Sequence, residues 1–320
     1  MGGIKVVGLG ALNLDRLYRV ERIIEDGETV IRQAESSPGG SAANTIYGLT
    51  KLGISTGFVG AVGDDGEGER LVNDFREAGV DLCGLKVKAG AKTGAVICLS
   101  DSLNRRSLYV MSGANSLLNL EKMDFHYINQ AEILHLTSFA DKQQFKLQLE
   151  LVKKIDPKVK LSFSPGALYA PKGLKVLEPL LARTSVLFIN QDEIRRLTGE
   201  DFVAGAKTCI KAGCQTVAVT LGKGIRYKNA VISTYIKDVR SDYVVESESR
   251  KSKVADTTGA GDAFASGFLY GLLEGKGLEE CGRLGDTVAQ FCISKPGARQ
   301  GLPTLPQLVQ RYQEQYSEPL

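Results

Sequence analysis

DTTGAGDAFASGFLYGLL, from Asp256 to Leu273, is the stretch on which the reading of this chain turns. Gly259, Ala260 and Gly261 form a small-residue turn that opens a helix. Phe264, Phe268 and Leu272 recur at helical spacing, which predicts a helix burying one face. Small residues at a helix start let backbone N–H groups converge on one point, and the helix dipole adds positive potential there. Together these make a ready anion site. Asp262 falls in the first turn. A carboxylate at such a position either caps the helix or serves as a base beside a phosphate about to be attacked. The electropositive helix start is expected to favour its ionised form.

A second stretch, PGGSAANTIYGLTKLG from Pro38 to Gly53, has the same logic. Gly39 and Gly40 permit close backbone approach to a ligand. Ser41 is the expected N-cap, and Ala42, Ile46 and Leu49 mark the buried face. Asn44 lies one turn in, where its amide either caps the helix or reaches a ligand hydroxyl.

Outward from these stretches, short apolar runs alternate with segments of helical period. The runs are residues 5–7, 57–62, 134–136, 160–163, 186–189 and 216–220. Between them the pattern predicts helices over 41–52, 68–78, 141–154, 173–181 and 202–212, with Gly53 and Gly79 at C-terminal caps. In the helix over 141–154, Phe145, Leu149 and Val152 mark one face. Strands spaced by helices indicate an α/β fold with a mostly parallel sheet. Residues 14–34 and 93–110 break the alternation. They read as strands without helices between them and are expected to form a small second sheet, leaving residues 1–320 as one domain with an appendage. Residues 227–254 are again strand-like and polar, as in a meander at a sheet edge.

Composition excludes several classes. With 40 basic and 37 acidic residues the net charge is only +3, and pairs such as Lys153-Lys154 and Arg195-Arg196 form no basic stripe, so no nucleic acid is expected as partner. No CxxC pair occurs among the six cysteines and neither His126 nor His135 lies near one, which argues against a zinc site. The start MGGIKVVGLG lacks the order of a signal peptide. No apolar run reaches the ~18 residues that span a bilayer. The cysteines are expected to be reduced, in a cytoplasmic protein. There is no GxxxxGK[ST] motif. VVGLGALN begins like a dinucleotide fingerprint, but Asn13 stands at the third glycine position.

Taken together and in this order, the two glycine-containing stretches resemble the paired signatures of the ribokinase-like (PfkB) carbohydrate kinases. The similarity runs from GLGALNLD (residues 8–15) to GLPTLPQL (residues 301–308). The resemblance implies an ATP-dependent kinase acting on a hydroxyl of a sugar or nucleoside. Its fold would be a central sheet flanked by helices, with the two anomalous strand regions as a β lid over the substrate. In some members, two lids pack together as a homodimer. It implies substrate contacts from Asn13, Asp15, Gly39, Gly40 and Asn44. It implies a magnesium (Mg2+) and phosphate site organised through water by Asn190 and Glu193 of NQDE. Nucleotide contacts would come from a turn carrying Thr220, Gly222 and Gly224. The anion turn Gly259-Ala260-Gly261 would adjoin Asp262 as catalytic base. Some members bind potassium (K+) near this loop, which would involve Asp256 and Thr258.

The residues themselves allow these roles and plainer ones. Asn13 and Asp15 follow a strand end, where open α/β sheets place ligands, and also suit a turn. Asn190 and Glu193 have the spacing of a capping box. Lys223 is placed to reach phosphate or to sit in a turn. One departure bears on the substrate. Ribokinases proper place a sugar-binding glutamate just after the strand ending LTS, whereas Leu136-Thr137-Ser138-Phe139 offers no acid before Asp141. Ribose itself is therefore not the expected acceptor, and Phe139 is open either to stack on a base or to join the core. A non-catalytic sugar-binding protein on the same fold would be expected to lack Asp262.

Overall fold

The runs are continuously apolar because they are buried on both faces, as parallel strands flanked by helices must be. A computed structural model of the chain describes residues 3–103, 105–247, 254–317 and 320. Strands are β1 (Val6–Leu9), β2 (Asn13–Val20), β3 (Ile31–Gly39), β4 (Thr56–Gly63), β5 (Leu85–Lys88), β6 (Gly94–Ser100) and β7 (Arg106–Met111) in the first third. They continue as β8 (Ile133–Thr137), β9 (Lys160–Ser164), β10 (Thr184–Asn190), β11 (Thr216–Tyr227), β12 (Ala230–Asp238) and β13 (Asp242–Glu246). Helices are α1 (Ser41–Lys51), α2 (Gly66–Ala78), α3 (Phe125–Asn129), α4 (Lys142–Lys154), α5 (Gly166–Tyr169) and α6 (Leu174–Leu181), then α7 (Gln191–Thr198), α8 (Phe202–Lys211), α9 (Ala260–Leu273), α10 (Leu278–Ile293) and α11 (Leu305–Tyr316).

Among the described residues, nine strands form one sheet in the order β13-β12-β11-β10-β9-β8-β1-β4-β5. All its pairings from β11 to β5 are parallel; β12 and β13 join antiparallel at one edge. That edge is the expected meander, whose residues 248–253 lie outside the described ones. Successive strand residues face opposite layers. Val7, Leu134, Leu187 and Val217 pack with α4, α6, α7 and α8, while Val6, Ile133, Phe188 and Ala218 pack with α1, α9 and α10.

The two regions that broke the helical alternation do form a second sheet, four-stranded, in the order β3-β2-β6-β7. Its β2 begins only four residues after β1 ends, so the first βα turn of the main sheet feeds directly into the small one. Its outer strand β7 exposes Leu108, Tyr109, Val110 and Met111.

Three local expectations need correction. Helix α4 buries Gln144, Leu147, Gln148, Leu151 and Val152, so of the expected face only Val152 is fully inside, with Phe145 and Leu149 partly buried at its flank. The glutamine amides donate to the carbonyl oxygens of Ser116, Leu118 and Thr137, which satisfies loop groups that apolar side chains would leave bare. Helix α9 buries every residue from Ala263 to Gly271, not one stripe, because α1 and α10 both pack on it. Gly48 of α1 has no room for a Cβ against Ser266 of α9, and Gly267 has none against the Leu284 carbonyl of α10. The Thr220-to-Gly224 segment is an irregularity inside the long strand β11 rather than a separate turn, with the chain left-handed at Gly222 (φ 61°) and Gly224 (φ 94°).

Candidate active site

The close approach of α1 and α9 brings their N-terminal turns side by side at the C-terminal ends of the parallel strands. Thr45 Oγ1 donates to the Asp262 carbonyl at 3.3 Å across this contact. Helix α1 starts from Gly40, whose φ of 104° and contact with the Ala11 carbonyl admit only glycine. Ser41 is not its N-cap, as the sequence suggested. Its hydroxyl instead donates to Asp262 Oδ1 at 2.5 Å, and the Ala42 N–H at the start of α1 is satisfied by Thr137 Oγ1 at 3.3 Å. Asn44 does not cap either. Its Nδ2 donates to Asp262 Oδ2 at 2.9 Å.

Asp262 therefore has one side-chain donor on each oxygen, and its carboxylate makes no capping bond in α9. Burial pushes its pKa up to about 6, against the lowering influence of Ser41, Asn44 and Arg299; Glu193 pushes it up further. Desolvation is thus the largest influence, and a carboxyl with a pKa of about 6 is still mostly ionised at neutral pH. The carboxylate still titrates just below neutrality, as suits a base.

In front of α9, Gly259 is left-handed (φ 75°) and packs so closely on Ala298 that a side chain has no room. Gly261 is the opposite case: it is exposed, and a Cβ there would meet nothing. The Ala260 N–H turns back to the Thr257 carbonyl at 3.3 Å. The donors left facing outward at the helix start are those of the first turn, beginning at Gly261.

On the other side, β2 carries Asn13 and Asp15 beside the glycines of β3. Asn13 pairs with Gly39 across the ladder, and Gly39 has no room for a Cβ against the Asp15 carboxylate. Asp15 Oδ1 is buried with no hydrogen-bond partner. Its pKa is pushed up to about 7 by burial, lowered by Arg299 and raised by Asp262. Asn115 was not singled out in the sequence. It is buried, its Oδ1 accepts from Leu12 N at 3.0 Å, and its Nδ2 donates to Asn13 Oδ1 at 2.8 Å. That commits the Asn13 carbonyl oxygen to Asn115 and leaves its NH2 group outside these bonds. Arg299 was also missed. It is 7% exposed and its Nε donates to Asn44 Oδ1 at 2.9 Å.

Asn190 and Glu193 make the capping box of α7, with Glu193 N donating to Asn190 Oδ1 at 2.9 Å and Asn190 N to Glu193 Oε2 at 3.1 Å. The box leaves Glu193 Oε1 outside these bonds, and burial raises the carboxyl's pKa. A half-buried carboxylate with an uncommitted oxygen, close enough to Asp262 to raise its pKa, fits a hydrated divalent cation. Asp256 fits a potassium ion less well. Its Oδ1 accepts from Thr258 N at 3.0 Å and Oγ1 at 2.8 Å, and its Oδ2 from Gly297 N at 3.0 Å. The Arg106 guanidinium of β7 lies 3.5 Å from Oδ1 and also donates to Thr257 and Thr258. Among the described residues no group of three or more acidic, cysteine or histidine side chains could hold a metal by itself. Phe139 is 2% exposed and belongs to the core, so it offers no stacking surface, and Asp141 caps α4.

The model of the pfkB family of carbohydrate kinases matches residues 4–305. The chain belongs to that family. Its members act as phosphotransferases on hydroxyl groups. A protein of Archaeoglobus fulgidus described as an uncharacterized sugar kinase is 39% identical over 260 residues, which is 80% of this chain and 98% of that one. A nucleoside kinase of Methanocaldococcus jannaschii is 26% identical over 98% of this chain and 99% of its own. The structure of Arabidopsis thaliana ribokinase complexed with ribose and ATP superposes with a TM-score of 0.83 at 25% identity, covering 97% of this chain and 99% of that one. The ribokinase-like fold anticipated from the sequence is thus the fold of the chain, and no helix among the described residues is long and apolar enough to cross a membrane.

Proposed function

We propose that this kinase transfers the γ-phosphate of ATP to a hydroxyl of a small sugar, with Asp262 as the base that takes the hydroxyl proton. The observation that carries this reading is the pairing of two unlike carboxylates. Asp262 has both oxygens held, by Ser41 and Asn44, while Asp15, two residues along β2 from Asn13, has a buried oxygen with no partner. A buried acceptor without a partner destabilises the free protein by about 1–3 kcal/mol, and a substrate hydroxyl relieves it.

The acceptor donates one hydroxyl to Asp15 and takes a hydrogen bond from Asn13. A second hydroxyl lies against Asp262, which removes its proton as the oxygen attacks phosphorus. The first-turn N–H groups of α9, at the Gly259-Ala260-Gly261 turn, stabilise the charge that develops on the phosphoryl oxygens. Thr220, Gly222 and Gly224 on the irregular part of β11 lie along the nucleotide; a side chain at Gly222 would stand in open space, whereas Gly224 is packed against Val231 and Ser247. Asn190 and Glu193 hold Mg2+ through water; the ion, when bound, offsets phosphate charge. Because Arg106 already neutralises Asp256, the reading includes no potassium step at Asp256 and Thr258.

The small sheet, formed by β2, β3, β6 and β7 and reaching beyond the expected segments 14–34 and 93–110 to Gly39 and Met111, acts as the lid. Its exposed Leu108 to Met111 edge supports pairing of two copies through their lids. The buried position of Phe139 favours a sugar over a nucleoside, since it removes the aromatic side chain the sequence offered to a base. The alternative of a nucleoside acceptor is kept by the relatives' names alone. A non-catalytic sugar-binding role is disfavoured by the intact Asp262 cluster, and a small-molecule kinase of this kind works in the cytoplasm. The test is an ADP-release screen over pentoses, hexoses, sugar phosphates and nucleosides. Turnover with a sugar and none with nucleosides supports the reading; turnover with nucleosides alone overturns its substrate class, and none with any acceptor overturns it altogether.

A further inference from the structure

Arg299 lies in the segment between α10 and α11 and reaches back to Asn44, whose amide donates to Asp262. It is 7% exposed. Its Nε donates to Asn44 Oδ1 at 2.9 Å and its Nη2 to the Gly39 carbonyl at 3.4 Å, while Nη1 is paired with Asp74 of α2. The guanidinium also lies over the rings of Tyr47 and Phe75, at 5.0 and 5.1 Å. These partners belong to α1 and β3, which carry acceptor-site residues, and to α2, which packs against α1 and β2.

The hydrogen-bond chemistry is directional. Guanidinium has donors and no acceptor. The side of the Asn44 amide that faces Arg299 must therefore be its oxygen, and the NH2 group must face Asp262. With the amide turned over, two donors would face Arg299 and Asn44 would present an acceptor oxygen to a carboxylate, which repels it. Arg299 is also the cation whose field reaches both Asp15 and Asp262.

We propose that Arg299 is a positioning residue for phosphoryl transfer: it fixes the Asn44 amide so that it donates to Asp262, and it supplies the positive charge that balances Asp15 and Asp262. This rests on the assignment of Asp262 as base. The other groups facing Asp262 and Asp15 are Ser41 and Asn44 from α1, Glu193 from α7, Cys292 from α10 and Cys98 from β6; Tyr47 and Asp74 face Arg299 itself. Among them Arg299 is the positive charge that both aspartates feel, so its removal and the removal of its counter-ion must act in opposite directions.

The test is the titration of Asp262 in protein labelled with carboxyl-13C aspartate, its signal assigned by loss in Asp262→Asn. Three variants are compared with the unsubstituted protein. In Arg299→Met the Asp262 titration moves up by roughly half a unit to one unit, and in Asp74→Asn it moves down. In Arg299→Lys, which keeps charge but loses the fork, the titration stays within a few tenths of a unit. Where an acceptor is turned over, Arg299→Met lowers kcat about 10- to 100-fold, and the acid limb of kcat moves up with the titration. An Asp262 titration unmoved in Arg299→Met, or moved upward in Asp74→Asn, overturns the proposal and leaves Arg299 as a clamp between helices. If Arg299→Met does not fold, the sign of the Asp74→Asn shift decides. A protein that phosphorylates no acceptor overturns the proposed function while the titration still tests the charge and orientation assigned to Arg299.

Discussion

Asn44 and Asp262 stand 218 positions apart in the chain, and their side chains meet at 2.9 Å. The contact exists because α1 and α9 pack closely enough for Gly48 to lie against Ser266. It ties the acceptor side of the site to the anion side, so the position of the base depends on the packing of two helices rather than on one loop.

Asp15 should reveal itself in stability as well as in binding. Its folded pKa of about 7 lies above the ordinary value of 3.8. A carboxylate of this kind favours the folded state while it is protonated. That contribution is full below about pH 4 and is lost as pH rises through about 7. Asp15→Asn keeps the shape without the charge. Its melting temperature should exceed that of the unsubstituted protein by roughly 2 °C or more at pH 8 and by less at pH 5. An equal difference at both pH values would mean the carboxylate is not desolvated. In the same variant series, Asp15→Ala should raise the acceptor KM while nucleotide affinity stays near normal.

Gly39→Ala is expected to act through Asp15, since the added methyl group would occupy the space of its carboxylate. The variant should fold and bind ATP, with acceptor affinity reduced by about 1–3 kcal/mol in isothermal titration. Unaltered acceptor affinity would mean that Asp15 is not a substrate contact.

Magnesium dependence should centre on Glu193. Glu193→Gln keeps the capping geometry but removes charge. The Mg2+ concentration for half-maximal rate should rise roughly tenfold. A rate that persists in excess chelator would show that no divalent ion takes part.

The lid can be followed without knowing the acceptor's identity in advance. Backbone amides of β2, β3, β6 and β7 should exchange more slowly when sugar and a non-hydrolysable ATP analogue are both present. Sedimentation should give a dimer that Leu108→Glu converts to monomer. Exchange that ignores both ligands would count against a mobile lid, and a monomeric parent protein against lid pairing.

Much of this architecture was legible in the chain because its determinants are local. Short apolar runs alternating with segments of helical period marked the main sheet, and residues 14–34 and 93–110 stood out because no helix separated their strands. Asn13, Asp15, Asn44 and Asp262 could be named because their motifs resemble the family's paired signatures; by themselves a glycine turn or a strand end suited caps and turns as well. What could not be read is how they meet. Ser41 looked like a cap, yet its hydroxyl is spent on Asp262 because Thr137 satisfies the helix start from another strand. Arg299 sits in PGARQG, a run that reads as a polar turn; only the fold shows that it points inward to Asn44 and Asp74. Asn115 gave no signal for the same reason. The upward push of burial on Asp262 could not be read, because desolvation depends on neighbours remote in sequence.

The central claim is that Asp262 takes the acceptor's proton, and Asp262→Asn tests it most directly. Asparagine keeps the size, and its amide can still meet Ser41 and Asn44. The variant should melt near the parent temperature and bind ATP with unchanged affinity, while turnover falls roughly 10²- to 10⁴-fold. The parent's kcat should fall below about pH 6, where Asp262 becomes protonated, and the residual rate of the variant should lose that limb. Near-normal turnover in a folded, ATP-binding Asp262→Asn protein would contradict the account and place the base elsewhere.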